Sequence, residues 1–375
     1  MTSRIVHVVS TPSFMDFVSD VFEEVAPGQN TFVGVGLSSE SLRLASGARF
    51  EKVERDEPGQ RRVAELIAGC TITVFHNLQE TFTARALASA PDSVLRVWSG
   101  WGGDYYGGSI DPLSGLVGPR TRWHVERGRS RSYWVDRVLA ARKLAPELRR
   151  AAFAADVFSA PIVEDLAVYR RRFPTFRGAY QQLNYGSVED MFSIGPDEVT
   201  GRDILLGNSA TPENNHLDVL PRLGVQNLGD SRVFAPLSYG YPEYAEVVTE
   251  HGRRILGDRF VPITERMSLV DYHEMLAGCS VIVMGHRRQQ GVGNLFRAMW
   301  QGAHVVLDKR SPMVDHLRRR GAVVEVLGEV DIGRLVSTPQ APEVIAANRD
   351  VLMTSWSRPV VLSNVRALLA RAESH

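Results

Sequence analysis

Short runs of β-branched and aromatic residues recur along the chain, separated by stretches whose apolar positions fall three and four residues apart. In the first half the runs are Ile5 to Val9, Thr31 to Val35, Thr71 to Phe75 and Val94 to Trp98. A second series occupies Asp203 to Leu206, Val233 to Leu237, Phe260 to Ile263, Val281 to Met284, His304 to Leu307 and Val323 to Val326. Most of these runs are apolar almost throughout instead of on alternate positions, which suits strands buried on both faces. Strand and helix patterns in alternation predict an α/β protein with doubly wound parallel sheets, helices covering each side.

The series breaks at Gly186 to Arg202, a stretch rich in Gly, Asp, Glu and Ser that reads as a linker. This predicts one Rossmann-like domain over 1–190 and a second over 203–349. A faint internal echo fits two related halves: Leu66-Ile67-Ala68-Gly69-Cys70-Thr71-Ile72-Thr73-Val74 resembles Met275-Leu276-Ala277-Gly278-Cys279-Ser280-Val281-Ile282-Val283. Both read as a helix ending near glycine and dropping into a buried strand. The last segment, 350–375, has helical spacing at Val361, Val365 and Leu368 and is expected to pack back on the first domain.

Composition narrows the function classes. A chain of 375 residues is long enough for two cores, and its 43 basic and 43 acidic residues balance. Balanced charge without an RNA- or DNA-binding motif counts against nucleic acid. No stretch approaches the roughly 18 apolar residues of a membrane span, and the start runs straight into a strand pattern, so the expected location is the cytoplasm. The two cysteines, Cys70 and Cys279, lie far apart beside apolar runs and read as buried thiols. Without a His-Glu-x-x-His, Cys-x-x-Cys, Asp-x-Asp or P-loop pattern, neither a metal nor a cofactor is expected.

The sharpest chemical signal is Arg287-Arg288-Gln289-Gln290-Gly291-Val292-Gly293-Asn294, set between the Val281 to Met284 strand and a helical pattern at Leu295 and Met299. Cations, amides and glycines at a helix start suit a diphosphate, because the first-turn N–H groups have no intrahelical acceptor and the helix dipole favours negative charge. Asp203 to Leu206 runs into Gly207-Asn208-Ser209-Ala210-Thr211, another strand end where open α/β folds bind ligands. Asn208 and Ser209 read equally as phosphate-binding groups or as helix caps. The same loop stops one residue short of a Gly-x-Ser-x-Gly elbow, which keeps a serine hydrolase in view.

In the first half, Trp98-Ser99-Gly100-Trp101-Gly102-Gly103-Asp104-Tyr105-Tyr106 follows a strand. Aromatic faces and a carboxylate suit a saccharide, with Asp104 as general base and His76 as the second candidate. The competing account buries the tryptophans in the core and makes Asp104 a cap. Between Val117 and Arg150, nine Arg and one Lys stand against three acids with Trp123, Tyr133 and Trp134 interleaved. That mixture, including Arg129 and Arg131, suits an anionic membrane surface or a lipid pyrophosphate; a solvated basic helix is the alternative.

Taken together, Phe75-His76-Asn77, the Trp98 to Tyr106 block, Ile204 to Ser209 with Asn214 and His216, Gly240-Tyr241-Pro242 with Tyr244, and Arg288 to Gly293 resemble glycosyltransferase family 56. These are the TDP-4-acetamido-4,6-dideoxygalactose (N-acetylfucosamine) transferases of enterobacterial common antigen synthesis. The resemblance implies a GT-B fold, two Rossmann-like domains facing across a cleft, with acceptor on the first and donor on the second. It implies transfer from a TDP-sugar to a lipid-pyrophosphate-linked saccharide at the inner face of the cell membrane. The expected donor residues are Asn208, Ser209, Tyr241, Glu265, Arg287, Arg288, Gln289, Gln290, Gly291, Gly293 and Asn294. Trp98, Trp101, Tyr105, Arg129, Arg131 and Trp134 are expected on the acceptor and membrane side. A nucleotide-sugar epimerase or hydrolase, a transferase with a non-lipid acceptor, and a non-catalytic sugar-nucleotide or membrane-binding module remain the alternatives.

Overall fold

The computed structural model describes residues 5–78, 80–110, 115–127, 146–192 and 195–375. The chain divides into two compact units. One comprises Met1–Pro112, Leu139–Ser187 and Trp356–His375; the other comprises Leu113–Val138 and Val188–Ser355.

The first unit is built on β1 (Ile5–Val9), β2 (Asn30–Val35), β3 (Arg49–Val53), β4 (Ile72–His76), β5 (Leu95–Ser99), β6 (Val157–Ser159) and β7 (Ala179–Tyr180). They pair in parallel in the order β3-β2-β1-β4-β5-β6-β7. All five residues of β1 and of β4 are buried, which is why apolar side chains fill four positions of β1 and three of β4. His7 is the polar exception inside β1. Strand β3, at the edge, is exposed at Arg49 and Lys52, half-buried at Phe50 and Glu51 and fully buried only at Val53. The run of strand-forming residues at 49–53 was not expected from the sequence, because an edge strand with charged positions lacks the apolar continuity of a central one.

Helix Arg358–Glu373 completes this unit. It packs on helix Met15–Val25 and sends Val361, Leu362, Val365 and Leu368 into the core around β1 and β4. Arg358 fixes its start by bonding both Asp20 and Glu24 at 2.6 Å.

In the second unit, β8 (Asp203–Leu206), β9 (Val233–Pro236), β10 (Phe260–Ile263), β11 (Cys279–Met284), β12 (His304–Leu307) and β13 (Glu325–Val326) form a parallel sheet ordered β10-β9-β8-β11-β12-β13. Helix Pro119–Arg127 belongs to it. Asn215 accepts the Gly118 N–H at 2.6 Å and Asp218 accepts those of Arg120 and Thr121 at 3.0 Å each. A first domain running unbroken over 1–190 is therefore interrupted, because Gly118, Arg120 and Thr121 give their backbone N–H groups to the second unit.

Both sheets are doubly wound. Their order reverses between β1 and β4 in one and between β8 and β11 in the other, and a crevice at the carboxyl ends of such strand pairs is where this class of sheet binds ligands. The thiols of Cys70 and Cys279 are free and buried, and burial pushes that of Cys70 up to about 12. Neither is a nucleophile near neutral pH.

Candidate active site

At the reversal in the second unit, side-chain amides tie the loop after β8 to the loop after β11. The Asn214 side chain donates from Nδ2 to Ser209 Oγ at 3.0 Å and Thr211 Oγ1 at 2.8 Å. That orientation leaves Oδ1 to accept the Asn208 N–H at 2.8 Å and His286 Nε2 at 2.6 Å. His286 is therefore protonated on Nε2 and neutral, since burial first, then the Arg288 charge and the neighbouring His216 ring, hold it well below its usual range. Gln290 Nε2 adds a bond to Asn208 Oδ1 at 3.2 Å. Gly207, with φ of 70°, is required here, because a Cβ would lie 2.7 Å from both Asn214 Oδ1 and His216 Nε2.

Helix Val292–Gln301 begins at Gly291, whose φ of 63° is left-handed. A Cβ there would stand 3.3 Å from Asn208 Cγ, so glycine keeps the two loops in contact. Gly293 is exposed and Val292 and Asn294 are half-buried, so the first helical turn, whose N–H groups have no intrahelical acceptor, is not sealed in the core.

Beside this helix start lies a cavity of about 520 Å³, lined by Asn208, Pro236, Tyr239, Glu265, Tyr272 and Asn294 among others. It sits at the carboxyl ends of β8, β9 and β10. Asn208 Nδ2 donates to Tyr239 OH at 2.9 Å, and Asn294 Nδ2 donates to Tyr272 OH at 2.7 Å, so two phenol rings stand fixed on its walls. The size suits a nucleoside, and an exposed Glu265 on the wall can accept from ribose hydroxyls.

Several expected donor residues take other places. Arg287 is buried and donates to the carbonyls of Gly115 at 3.1 Å and Val117 at 3.0 Å, with Asp308 3.5 Å away. It braces the fold, and the half-buried Arg288 is the cation left beside the loop. Gln289 is buried as well, while Gln290 reaches Asn208. Ser209 is buried inside the Asn214 and Thr211 network, with no imidazole bonded to its Oγ, which removes the serine-hydrolase geometry. Tyr241 starts helix Pro242–Leu256 and packs on the core, away from the cavity lining. Tyr239, two residues earlier and 59% exposed, holds the position expected of it. Its signal was its place directly after β9.

In the first unit the aromatic block also divides. Trp98 and Tyr105 are core residues: Trp98 meets Phe158 edge-on at 4.9 Å and Tyr169 at 5.4 Å, and Tyr105 OH donates to Asp165 at 2.6 Å. Asp104, 1% exposed, accepts on one oxygen from Leu78 N–H at 2.9 Å, Trp101 N–H at 3.1 Å and Trp98 Nε1 at 3.2 Å. Its carboxylate holds two loops together, which corrects the expectation that it faces an acceptor hydroxyl. Trp101 is partly buried and meets Tyr185 at 5.4 Å and Phe14 at 5.7 Å. Phe14 is half exposed, so these three rings form an aromatic rim. His76 ends β4 beneath it, with Nδ1 3.4 Å from Tyr185 OH, which in turn is 2.6 Å from Ser99 Oγ. Arg129, Arg131 and Trp134 lie outside the described residues.

The family model described as 4-alpha-L-fucosyltransferase, glycosyl transferase group 56, matches residues 132–338, more than half of the 375. The chain belongs to glycosyl transferase group 56. As a group 56 member it is a glycosyltransferase. Solved structures similar to it include Alr3699/HepE of Anabaena in complex with UDP and glucose, 11% identical with a TM-score of 0.62 over 98% of this chain and 99% of that one. Sucrose-phosphate synthase from Thermosynechococcus elongatus matches at 10% identity and 0.66 over 99% of each chain. The α,α-trehalose 6-phosphate synthase of Burkholderia multivorans matches at 11% and 0.62 over 100% of this chain and 98% of that one. At such identities the likeness speaks for fold alone, and the fold is GT-B.

Proposed function

We propose that this group 56 enzyme moves an amino-deoxyhexose from a TDP-sugar to a lipid-pyrophosphate-linked saccharide, the reaction its family resemblance implies. The donor reading rests on one arrangement: an open helix start at Gly291 to Asn294, with Arg288 beside it, adjoining a nucleoside-sized cavity between two fixed tyrosines. The diphosphate lies against the N–H groups of Val292, Gly293 and Asn294, and the base and ribose occupy the cavity with Glu265. The complex of HepE with UDP and glucose supports a nucleotide-sugar donor on this fold.

Charge develops on the leaving diphosphate as the bond to the sugar breaks. Arg288 and the oriented N–H groups meet that charge, a preorganised electrostatic role that needs no metal. The acceptor hydroxyl loses its proton toward His76 instead of Asp104, whose oxygen is already committed to three N–H groups. Among the described residues no helix is long and apolar enough to cross a membrane. Helix Pro119–Arg127 carries exposed Arg120, Arg122 and Trp123, which supports peripheral contact with an anionic inner membrane surface.

Titration with TDP, UDP, GDP and their sugars tests the donor. Preference for TDP by about tenfold or more supports the reading, and equal indifference to all three overturns it. Turnover unchanged by EDTA supports the metal-free route; a rate restored only by a divalent cation overturns that part.

A further inference from the structure

Deepening the proposed role of His76, we infer that a buried chain of Glu23, Asn30 and His7 holds His76 in the tautomer whose bare nitrogen, Nδ1, faces Tyr185, and that Tyr185 relays the acceptor's proton to it.

The donors can be assigned one by one from the far end. Asn30 Nδ2 lies 2.7 Å from Glu23 Oε1 and 2.9 Å from the Ala26 carbonyl, both acceptors, so its amide orientation is fixed. Glu23 is held in turn by the Gly28 N–H at 2.7 Å. Asn30 Oδ1 therefore faces His7 Nε2 at 3.3 Å, and since that oxygen only accepts, the proton is on Nε2. His7 is fully buried between Phe32, stacked at 4.2 Å, and Phe22, edge-on at 4.6 Å. Burial lowers it to about 3, so it carries a single proton and its Nδ1 is bare. That atom stands 3.0 Å from His76 Nε2, which must donate. His76 is likewise held neutral by burial and by His7, so the remaining nitrogen, Nδ1, has a lone pair directed at Tyr185.

The sheet explains why the groups line up. In the parallel register His7 pairs with Phe32 and Val74, which puts Asn30 and His76 two residues away on neighbouring strands and on the same face. Ser99 is the register partner of His76 on β5. His76 itself is 2% exposed, so a saccharide on the aromatic rim meets Tyr185 first. In the transfer step the acceptor oxygen uses a lone pair to form the glycosidic bond, and its proton passes to the Tyr185 oxygen. The Tyr185 proton moves to His76 Nδ1, leaving an imidazolium, while the sugar–diphosphate bond breaks with its electron pair staying on TDP. Tyr185 is the catalytic residue of this relay; His7 and Asn30 are positioning residues.

Two variants at His7 separate positioning from packing. His7→Phe keeps the ring stack but cannot accept from His76, whereas His7→Gln can both accept from His76 and donate to Asn30. Turnover with TDP-4-acetamido-4,6-dideoxygalactose and a polyprenyl-pyrophosphoryl saccharide should fall at least about tenfold in His7→Phe, with the donor KM unchanged, and recover to within a few-fold in His7→Gln. A purely structural role predicts the reverse order and overturns the inference. Selective ¹⁵N-histidine spectra of the wild-type protein, with His76→Ala used for assignment, should show His76 Nδ1 unprotonated; a protonated Nδ1 overturns it whatever the rates. If His76→Ala keeps full turnover, the proton-acceptor reading fails along with the relay. If His76→Ala is inactive while His7→Phe is fully active, only the inference falls.

Discussion

Two adjacent arginines show what residue identity leaves open. Arg287 and Arg288 are equivalent as letters before a glycine loop, yet the turn out of β11 sends one side chain onto the Gly115 and Val117 carbonyls and leaves the other half-buried beside the Gly291 turn. Arg288→Ala should weaken donor binding by about tenfold or more with little change in melting temperature, because the half-buried cation gives up only a 3.3 Å bond to the Gln289 carbonyl. Arg287→Ala should instead cost about 1–3 kcal/mol in denaturant unfolding, since the Gly115 and Val117 carbonyls lose their donor while Asp308 keeps Arg310. Calorimetric titration and urea unfolding of both variants check the pair. Asp104→Asn is expected to keep turnover within a few-fold while lowering stability by about 1 kcal/mol, an amide oxygen still accepting the three N–H groups without the charge. A collapse of turnover with stability intact would restore Asp104 as the base.

At the scale of elements, central strands were legible because burial on both faces demands continuous apolar runs, as in β11. The edges were not: β3 has one fully buried residue, and β6 and β7 have three and two residues, too few for a pattern to emerge. The turn from β11 into helix Val292–Gln301 was visible from its glycines and its place between strand and helix. Tyr239, His286 and the His7 chain were not, because their roles depend on which strands become neighbours. His304 illustrates such a junction and its consequence for pH. On β12, its Nδ1 faces Glu325 of β13 at 3.0 Å and its Nε2 faces the Thr338 carbonyl at 2.9 Å. Both partners only accept, so both nitrogens are protonated. Burial lowers the affinity for that proton, but the Glu325 and Thr338 bonds outweigh it and the net shift is upward from 6.5. A raised value in the folded state means the stabilisation is complete below 6.5 and lost as pH climbs through the raised value. Stability measured from pH 6 to 9 should therefore decline on the alkaline side, and His304→Gln should flatten that decline.

For the whole molecule, the decisive property is two cores in one chain, each with its own titrating groups, and the cavity proposed for the donor lies in the second. The first unit holds His7 and His76, both neutral by burial, and the second holds His216 and His286 in the same condition. Their lowered values contribute stability above 6.5 that is lost as pH falls, so acid should weaken both units. The alkaline loss tied to His304 belongs to the second unit. Ligand linkage provides the complementary handle, because a nucleotide that binds only folded protein adds RT ln(1 + [L]/Kd), about 2.7 kcal/mol at a hundredfold excess over Kd. If the TDP site is the one beside Gly291, that increment should reach the second unit's amides first. Hydrogen exchange with and without TDP should slow in peptides covering 207–211, 236–241, 263–267 and 286–296, which line the cavity and the helix start. Peptides from the β1 and β4 core should exchange as before. Protection concentrated at Ser10, His76 and Trp101 instead would move the nucleotide to the first unit and reverse the assignment of donor and acceptor.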